Sequence, residues 1–247
     1  MMHAKVVAAQ LINFMGYDFL FQDLDVHWYR NPLQSLQQSS SKLYDFDILF
    51  QDDGQRSIRY APYYANSGFY YVRYNDRTRF LFTSLLVQGD VILKTGSHQQ
   101  LLASLLADHA SWTGLKVKVL GFEGYPGGFS YHSRPGHIRK IISGEDARAE
   151  IFHMSWTENK ADKLRYMKQM GMWHLKEECV SKKLEEINKS SNRTRTLQNA
   201  SEETVFNLCC SVEPLITCHY RDTPSVIDCS SSPPINGENS ASFWKKN

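Results

Sequence analysis

The sequence predicts an α/β domain over residues 1–178 and a low-order tail over residues 179–247. Three observations carry this. Short apolar and aromatic runs of strand length (Tyr17–Phe21, Phe46–Gln51, Asn66–Arg73, Leu115–Leu120 and Ala149–His153) are separated by stretches with the apolar spacing of helices. The 247 residues are 42% hydrophobic and 13% aromatic, enough to bury one sizeable core. Beyond about Lys189, Ser, Asn, Thr and Pro dominate and the apolar periodicity fades, the composition of a disordered or loosely packed tail.

The elements follow in order. Met2 to Met15 predicts an amphipathic helix with Val6, Val7, Leu11, Ile12 and Phe14 as its apolar stripe and Gly16 as its stop. The strand Tyr17–Phe21 then delivers two carboxylates, Asp23 and Asp25, at i and i+2, and Pro32 closes the segment. Two like charges at the rim of a sheet repel, and leaving them unpaired beside a core is costly. A hard divalent cation bound through carboxylate oxygens removes that cost and commonly shares its sphere with substrate phosphates. The bland alternative is a pair of solvated residues where a strand leaves the core. Pro32 to Lys42 is a Gln/Ser-rich surface segment. The strand Phe46–Gln51 ends in Asp52-Asp53-Gly54, which fits ordinary turn chemistry. Asn66-Ser67-Gly68 opens the next strand, where Gly68 permits close approach of a ligand to the backbone and Asn66 supplies an amide. Thr78 to Val87 has a helical apolar face, and Ser97 to Leu106 is a loop entering a second helix with Gln99 and Gln100 at its start. Leu115–Leu120 alternates as an edge-type strand. Gly121 to His132 carries four glycines, Pro126 and four aromatics, a composition suited to a binding wall. A short strand ends at His153, with Trp156 and Lys160 after it. A lone histidine is more often structural than a ligand. Lys160 to Glu186 is expected to be helical.

Gly16 to Pro32 resembles the Asp-x-Asp segment of nucleotide-sugar glycosyltransferases of the GT-A fold. It is most similar to the nucleotide-diphospho-sugar transferase family that contains plant cell-wall xylosyl- and arabinosyltransferases, glycosyltransferase family 77. Asn66/Gly68 and His153/Trp156 follow in the family's order. The resemblance implies a three-layer α/β/α sandwich around a mixed sheet. It implies a metal-dependent enzyme that moves a sugar from a nucleotide-diphosphate donor, a UDP-sugar, to a glycan or glycoprotein hydroxyl with retention of configuration. Asp23, Asp25 and His153 would hold the metal, Mn²⁺ because imidazole suits it better, with Mg²⁺ as the alternative. Asp23, Asn66, Ser67, Gly68, Gln99 and Lys160 would face the donor, and Gln100 with Asp25 would serve catalysis. The family usually shows Asp-Gln where Gln99-Gln100 stands, so a carboxylate nucleophile is missing there, and front-face attack assisted by the leaving phosphate is expected. The resemblance also implies that the chain begins inside the domain, after the strands that hold base and ribose. Two other readings stand beside it: a non-catalytic transferase-fold remnant or binding module, and a haloacid-dehalogenase-type phosphatase with Asp23 as nucleophile.

The formal charge of +2 singles out no nucleic acid and no acidic membrane surface. No apolar run approaches a membrane span, and the N-terminus lacks a signal-peptide pattern. A Golgi-lumen location follows from the resemblance, with a membrane anchor expected on a longer form. Three N-glycosylation sequons (Asn188, Asn192 and Asn199) agree with a lumen. All five cysteines fall between Cys179 and Cys229 without CxxC spacing, so no zinc site is expected, and free thiols are favoured over disulfides.

Overall fold

The computed structural model describes residues 2–142, 145, 146 and 148–176, which divide into two units, 2–156 and 157–176. In the first unit the order is α1 (Met2–Phe14), β1 (Phe19–Gln22), β2 (Val26–Trp28), α2 (Leu33–Gln37), β3 (Ile48–Asp52) and β4 (Ala65–Val72). There follow α3 (Asp76–Val87), α4 (Gly89–Thr95), α5 (His98–Thr113), β5 (Val117–Leu120), α6 (Gly128–Ser133), α7 (Pro135–Ile142) and β6 (Ile151–His153).

One sheet has the order β1-β4-β3-β5, with β4 antiparallel to both neighbours and β5 parallel to β3. Every residue of β4 is buried, because strands flank it and layers cover both its faces. The period-two alternation of strands sorts its side chains. Tyr70 and Val72 join Phe19, Ile48 and Phe50 beneath α1, α3 and α5, against Val6, Leu81, Phe82 and Leu106. Phe69 and Tyr71 face the other way, with Leu49, Leu36 and Ile151. Burying each such side chain contributes about 1.5–3 kcal/mol. The result is the expected mixed α/β architecture of a GT-A-like transferase. Its second outer layer is thinner than an ordinary helical one, being made of α2 and the antiparallel ribbon β2-β6.

Several expectations change in detail. On α1 the inward face is Val6, Ala9, Gln10 and Asn13, while Leu11 and Phe14 are exposed. The reason is polar pairing with α3: Gln10 donates to Thr83 at 2.9 Å and Asn13 to Thr78 at 3.4 Å, which turns the apolar edge outward. Gly16 does end the helix, at φ +88°. α4 has no counterpart among the expected elements, and the glycine-rich stretch after β5 contains α6. In the second unit α8 covers Lys160–Gln169 rather than running to Glu186. Asn159 caps its start, and Gly171, at φ +78°, follows its end. The proposed tail, its cysteines and its sequons lie outside the described residues. No helix among the described residues is long and apolar enough to cross a membrane.

Asp47, ahead of β3, ties three elements together. It accepts from Arg77 at 2.7 Å, from the Asn75 amide at 2.9 Å and from the backbone N–H of Lys116 at 2.8 Å. Burial alone would raise its pKa, but these donors outweigh it and hold the carboxyl below its ordinary 3.8. A depressed native pKa stabilises the fold above the unfolded value, and that stability is lost as pH falls below it. The stability gap between wild type and Asp47→Asn, measured by thermal melts, should therefore be full at pH 6 and should narrow steadily below pH 4.

Candidate active site and metal centre

The first carboxylate is placed by the end of β1, where the backbone N–H of Asp23 donates to the carbonyl of Gly68 at 2.8 Å. Asp25 is placed by the start of β2. Its carbonyl accepts from the N–H of Met154 at 3.0 Å, and Val26 pairs with His153 across the ribbon. Strand pairing thus brings residue 153 beside residue 25. Ligand atoms of Asp23, Asp25 and His153 all lie within 4.8 Å of one another. Asp25 and His153 are buried, and Asp23 is partly exposed.

The orientation of the imidazole is settled by Gln51, itself fully buried in β3. Gln51 Nε2 donates to the carbonyls of Tyr125 and Pro126 at 3.1 and 2.9 Å, so its Oε1 is the end that meets His153 Nδ1, at 2.7 Å. Nδ1 must then carry a proton, and Nε2 is the nitrogen that faces Asp25 Oδ1, 3.5 Å away. A proton or a metal cation between these two atoms would suit both of them. A buried partner on the far nitrogen is the usual support of a metal-ligating histidine. With metal–ligand bonds of roughly 2.0–2.2 Å, ligand atoms on one cation stand up to about 4.4 Å apart, so the triad needs little closure. The donor set fits a divalent cation.

A local irregularity makes room for this. Between Phe50 and Gln51 the β3–β4 register slips: Phe50 faces Tyr70, but Gln51 faces Asn66, so Ser67, Gly68 and Phe69 bulge out. The imidazole of His153 packs over Gly68, where an added Cβ would overlap the ring and come 3.0 Å from Nε2. Gly68 was expected to let a ligand near the backbone; what the structure packs there is the imidazole of His153. Gly128 behaves alike, since a Cβ on it would run into the carbonyl of Ser155. With Gly127 bridged to His153, the glycine-rich loop holds the strand that carries the histidine.

The remaining candidates divide. Asn66 donates to Asp53 Oδ1 at 2.9 Å and accepts from the N–H of Gly68 at 2.8 Å, so both ends of its amide engage the protein. Gln99 accepts from Ser67 N–H and Oγ at 3.0 and 2.9 Å and donates to Asp53 Oδ1 at 3.1 Å. Gln100, one helical step further, is exposed, and its backbone N–H is capped by Ser97. Of the two glutamines, Gln99 joins the network. Lys160 opens α8 in the second unit.

Asp53 is the residue that turn chemistry concealed. Asp52 does make the turn, accepting from Gly54 N–H and from Arg56. Asp53 instead points inward, buried, and its Oδ2 accepts no hydrogen bond among the described residues. Burial pushes its pKa above the ordinary carboxylate value, against the pull of Gln99 and Asn66. Only the Asp-Asp doublet hinted at this, since one turn needs one acid.

The model of the nucleotide-diphospho-sugar transferase family matches residues 1–167. The chain belongs to that family. A β-arabinofuranosyltransferase of Arabidopsis thaliana, RAY1, is 25% identical over 179 residues, covering 64% of this chain and 31% of RAY1. The chain thus spans about a third of the length of that curated relative. No solved structure matches significantly. Family and relative both support glycosyltransferase activity and leave no support for the phosphatase reading.

Placing a methyl group at Gly68 tests the packing directly. In Gly68→Ala the His153 ring should shift, changing its imidazole NMR resonances, and stability should fall by about 1–3 kcal/mol in denaturant melts. An unmoved His153 signal would refute the contact.

Proposed function

We propose that this chain is the metal-binding part of a glycosyltransferase whose donor is a nucleoside diphosphate sugar, a UDP-sugar first. The observation that carries the reading is the convergence of Asp23, Asp25 and His153, with the histidine nitrogen aimed by Gln51. Asp25 and His153 would ligate Mn²⁺, or Mg²⁺ in its place, and Asp23 would reach it directly or through water or the ribose. When bound, the cation supplies positive charge to the departing diphosphate.

The chain's own residues would do the rest. Asp53, Asn66, Ser67 and Gln99 form a tied network beside the His153–Gly68 contact, and its buried carboxylate oxygen suits a sugar hydroxyl. Lys160 is assigned to the leaving diphosphate and Gln100 to orienting the donor, both on the resemblance alone. The anomeric carbon would lose its phosphate oxygen and gain the acceptor oxygen on the same face, with retention. The acceptor proton would pass to the departing phosphate. Asp53, fixed by two amides on one oxygen, is placed to orient rather than to attack. A glycan or glycoprotein acceptor and a Golgi-lumen setting complete the reading, as does a domain ending near residue 178.

Calorimetric titration of UDP with and without Mn²⁺ tests it. Binding should require the metal, should vanish in Asp25→Ala, and should weaken at least about tenfold in His153→Ala. Failure of the wild-type chain to bind UDP in Mn²⁺ would favour the non-catalytic remnant.

A further inference from the structure

The acidic centre contains a charge that the motifs do not reveal. Lys5, in the second turn of α1, forms an ion pair with Asp23 Oδ1. Its ammonium lies 5.8 Å from the centre of the Phe21 ring. His98, the first residue of α5, completes its surroundings as a neutral imidazole. Burial pushes its pKa down to about 4, with the charge of Lys5 as the second cause. The pair is partly shielded from water, with 23% of the Lys5 side chain and 27% of the Asp23 side chain exposed. The neighbouring Val6 and Ala9 are buried in the core, so the turn that bears Lys5 is held in place.

We propose that Lys5 is an internal cation that holds the Asp23 side of the metal centre and thereby makes metal binding depend on the nucleotide. The inference rests on the metal-centre reading above. Asp23 and Asp25 bring two negative charges and Lys5 returns one positive charge to the same site. A divalent cation arriving alone must take Asp23 from the ammonium and then stay beside it; both oppose entry. A nucleoside diphosphate reverses the balance. Its phosphate oxygens accept the displaced ammonium and screen it from the metal, so Lys5 moves from carboxylate to phosphate. Metal and nucleotide then bind cooperatively, and by linkage each raises the affinity of the other by the same factor. A lysine serves this better than an arginine clamp would, since its single flexible stem can exchange one anionic partner for another. No bond is made or broken in the step.

The test is Mn²⁺ titration of the full chain, by calorimetry and by the EPR signal of free Mn²⁺, with and without UDP. Without UDP, Lys5→Met should bind Mn²⁺ at least about tenfold more tightly than wild type, and Lys5→Arg should stay near wild type. The enhancement of Mn²⁺ affinity by UDP should shrink by the same factor in Lys5→Met. If folded Lys5→Met binds Mn²⁺ no more tightly than wild type, while wild-type Mn²⁺–UDP binding still depends on Asp25, the role of Lys5 is overturned and the metal centre stands. If wild type shows no Asp25-dependent Mn²⁺ binding even with UDP, both fall. Should Lys5→Met not fold, the wild-type protein answers by itself. Acylation of Lys5 by an amine-reactive reagent, read by mass spectrometry, should quicken with saturating Mn²⁺ and slow again when UDP is added. A rate indifferent to both overturns the proposal.

Discussion

Two carboxylates two residues apart, with an imidazole nitrogen facing one of them, form an arrangement that calls for compensation. At a separation within 4.8 Å, like charges repel by roughly 3 kcal/mol at an effective dielectric of about 20. The domain nevertheless concentrates its most specific packing here. Gly68 gives up a side chain so that His153 can lie over it, and Gln51 gives up its amide to fix the ring. Gly127 and Gly128 give up theirs so that the strand bearing the histidine can press against the loop. Each of these choices makes sense if the centre has to be rigid when a cation and its phosphates are present.

The slip in register between β3 and β4 is the device that allows it. An unbroken ladder would direct Gln51 across from Phe69 and leave the residues of the bulge flat within the sheet. Displacing three residues turns Ser67 toward Gln99, while Gly68 stays in line with β1 and its carbonyl accepts from the Asp23 N–H. The end of the strand that leads to Asp23 and the seat of His153 are therefore one structure. Bulges of this kind recur beside functional sites because they re-aim side chains without breaking the sheet.

This also explains what could and could not be read from the sequence. Asp23 and Asp25 were legible as a carboxylate pair from residue type and spacing, His153 was joined to them by the family resemblance, and apolar runs of strand length foretold β1, β3, β4, β5 and β6. The bulge was not legible, since Asn-Ser-Gly followed by an aromatic run has the same letters whether or not the register slips. Gln51 is the polar end of a strand and Lys5 a single charge on an amphipathic helix, and neither belongs to a motif. Their roles depend on partners 102 and 18 residues away, a separation that no local pattern encodes. The misjudged face of α1 has the same origin. Leu11 and Phe14 satisfied helical periodicity, but hydrogen bonds from Gln10 and Asn13 to α3 set the rotation.

Asp53 shows how much structure can stand behind one unremarkable letter. Two non-glycine residues of the described chain hold left-handed backbones, Tyr64 at φ +56° and Trp156 at φ +58°. Both bond to the backbone of Asp53: its N–H donates to the carbonyl of Tyr64 at 2.9 Å, and its carbonyl accepts from Trp156 Nε1 at 2.7 Å. Each such conformation costs about 1–3 kcal/mol and persists only where the surroundings over-determine it. A turn residue needs no such support, and Asp52, which does make the turn, has none of it. The strain is therefore attached to the inward carboxylate. Because the backbone clamp is independent of the side chain, the position of the carboxylate survives any change in what its second oxygen meets. A group held this way would orient a ligand by staying still, which separates its proposed part in the site from that of Lys5, whose proposed use lies in being able to move.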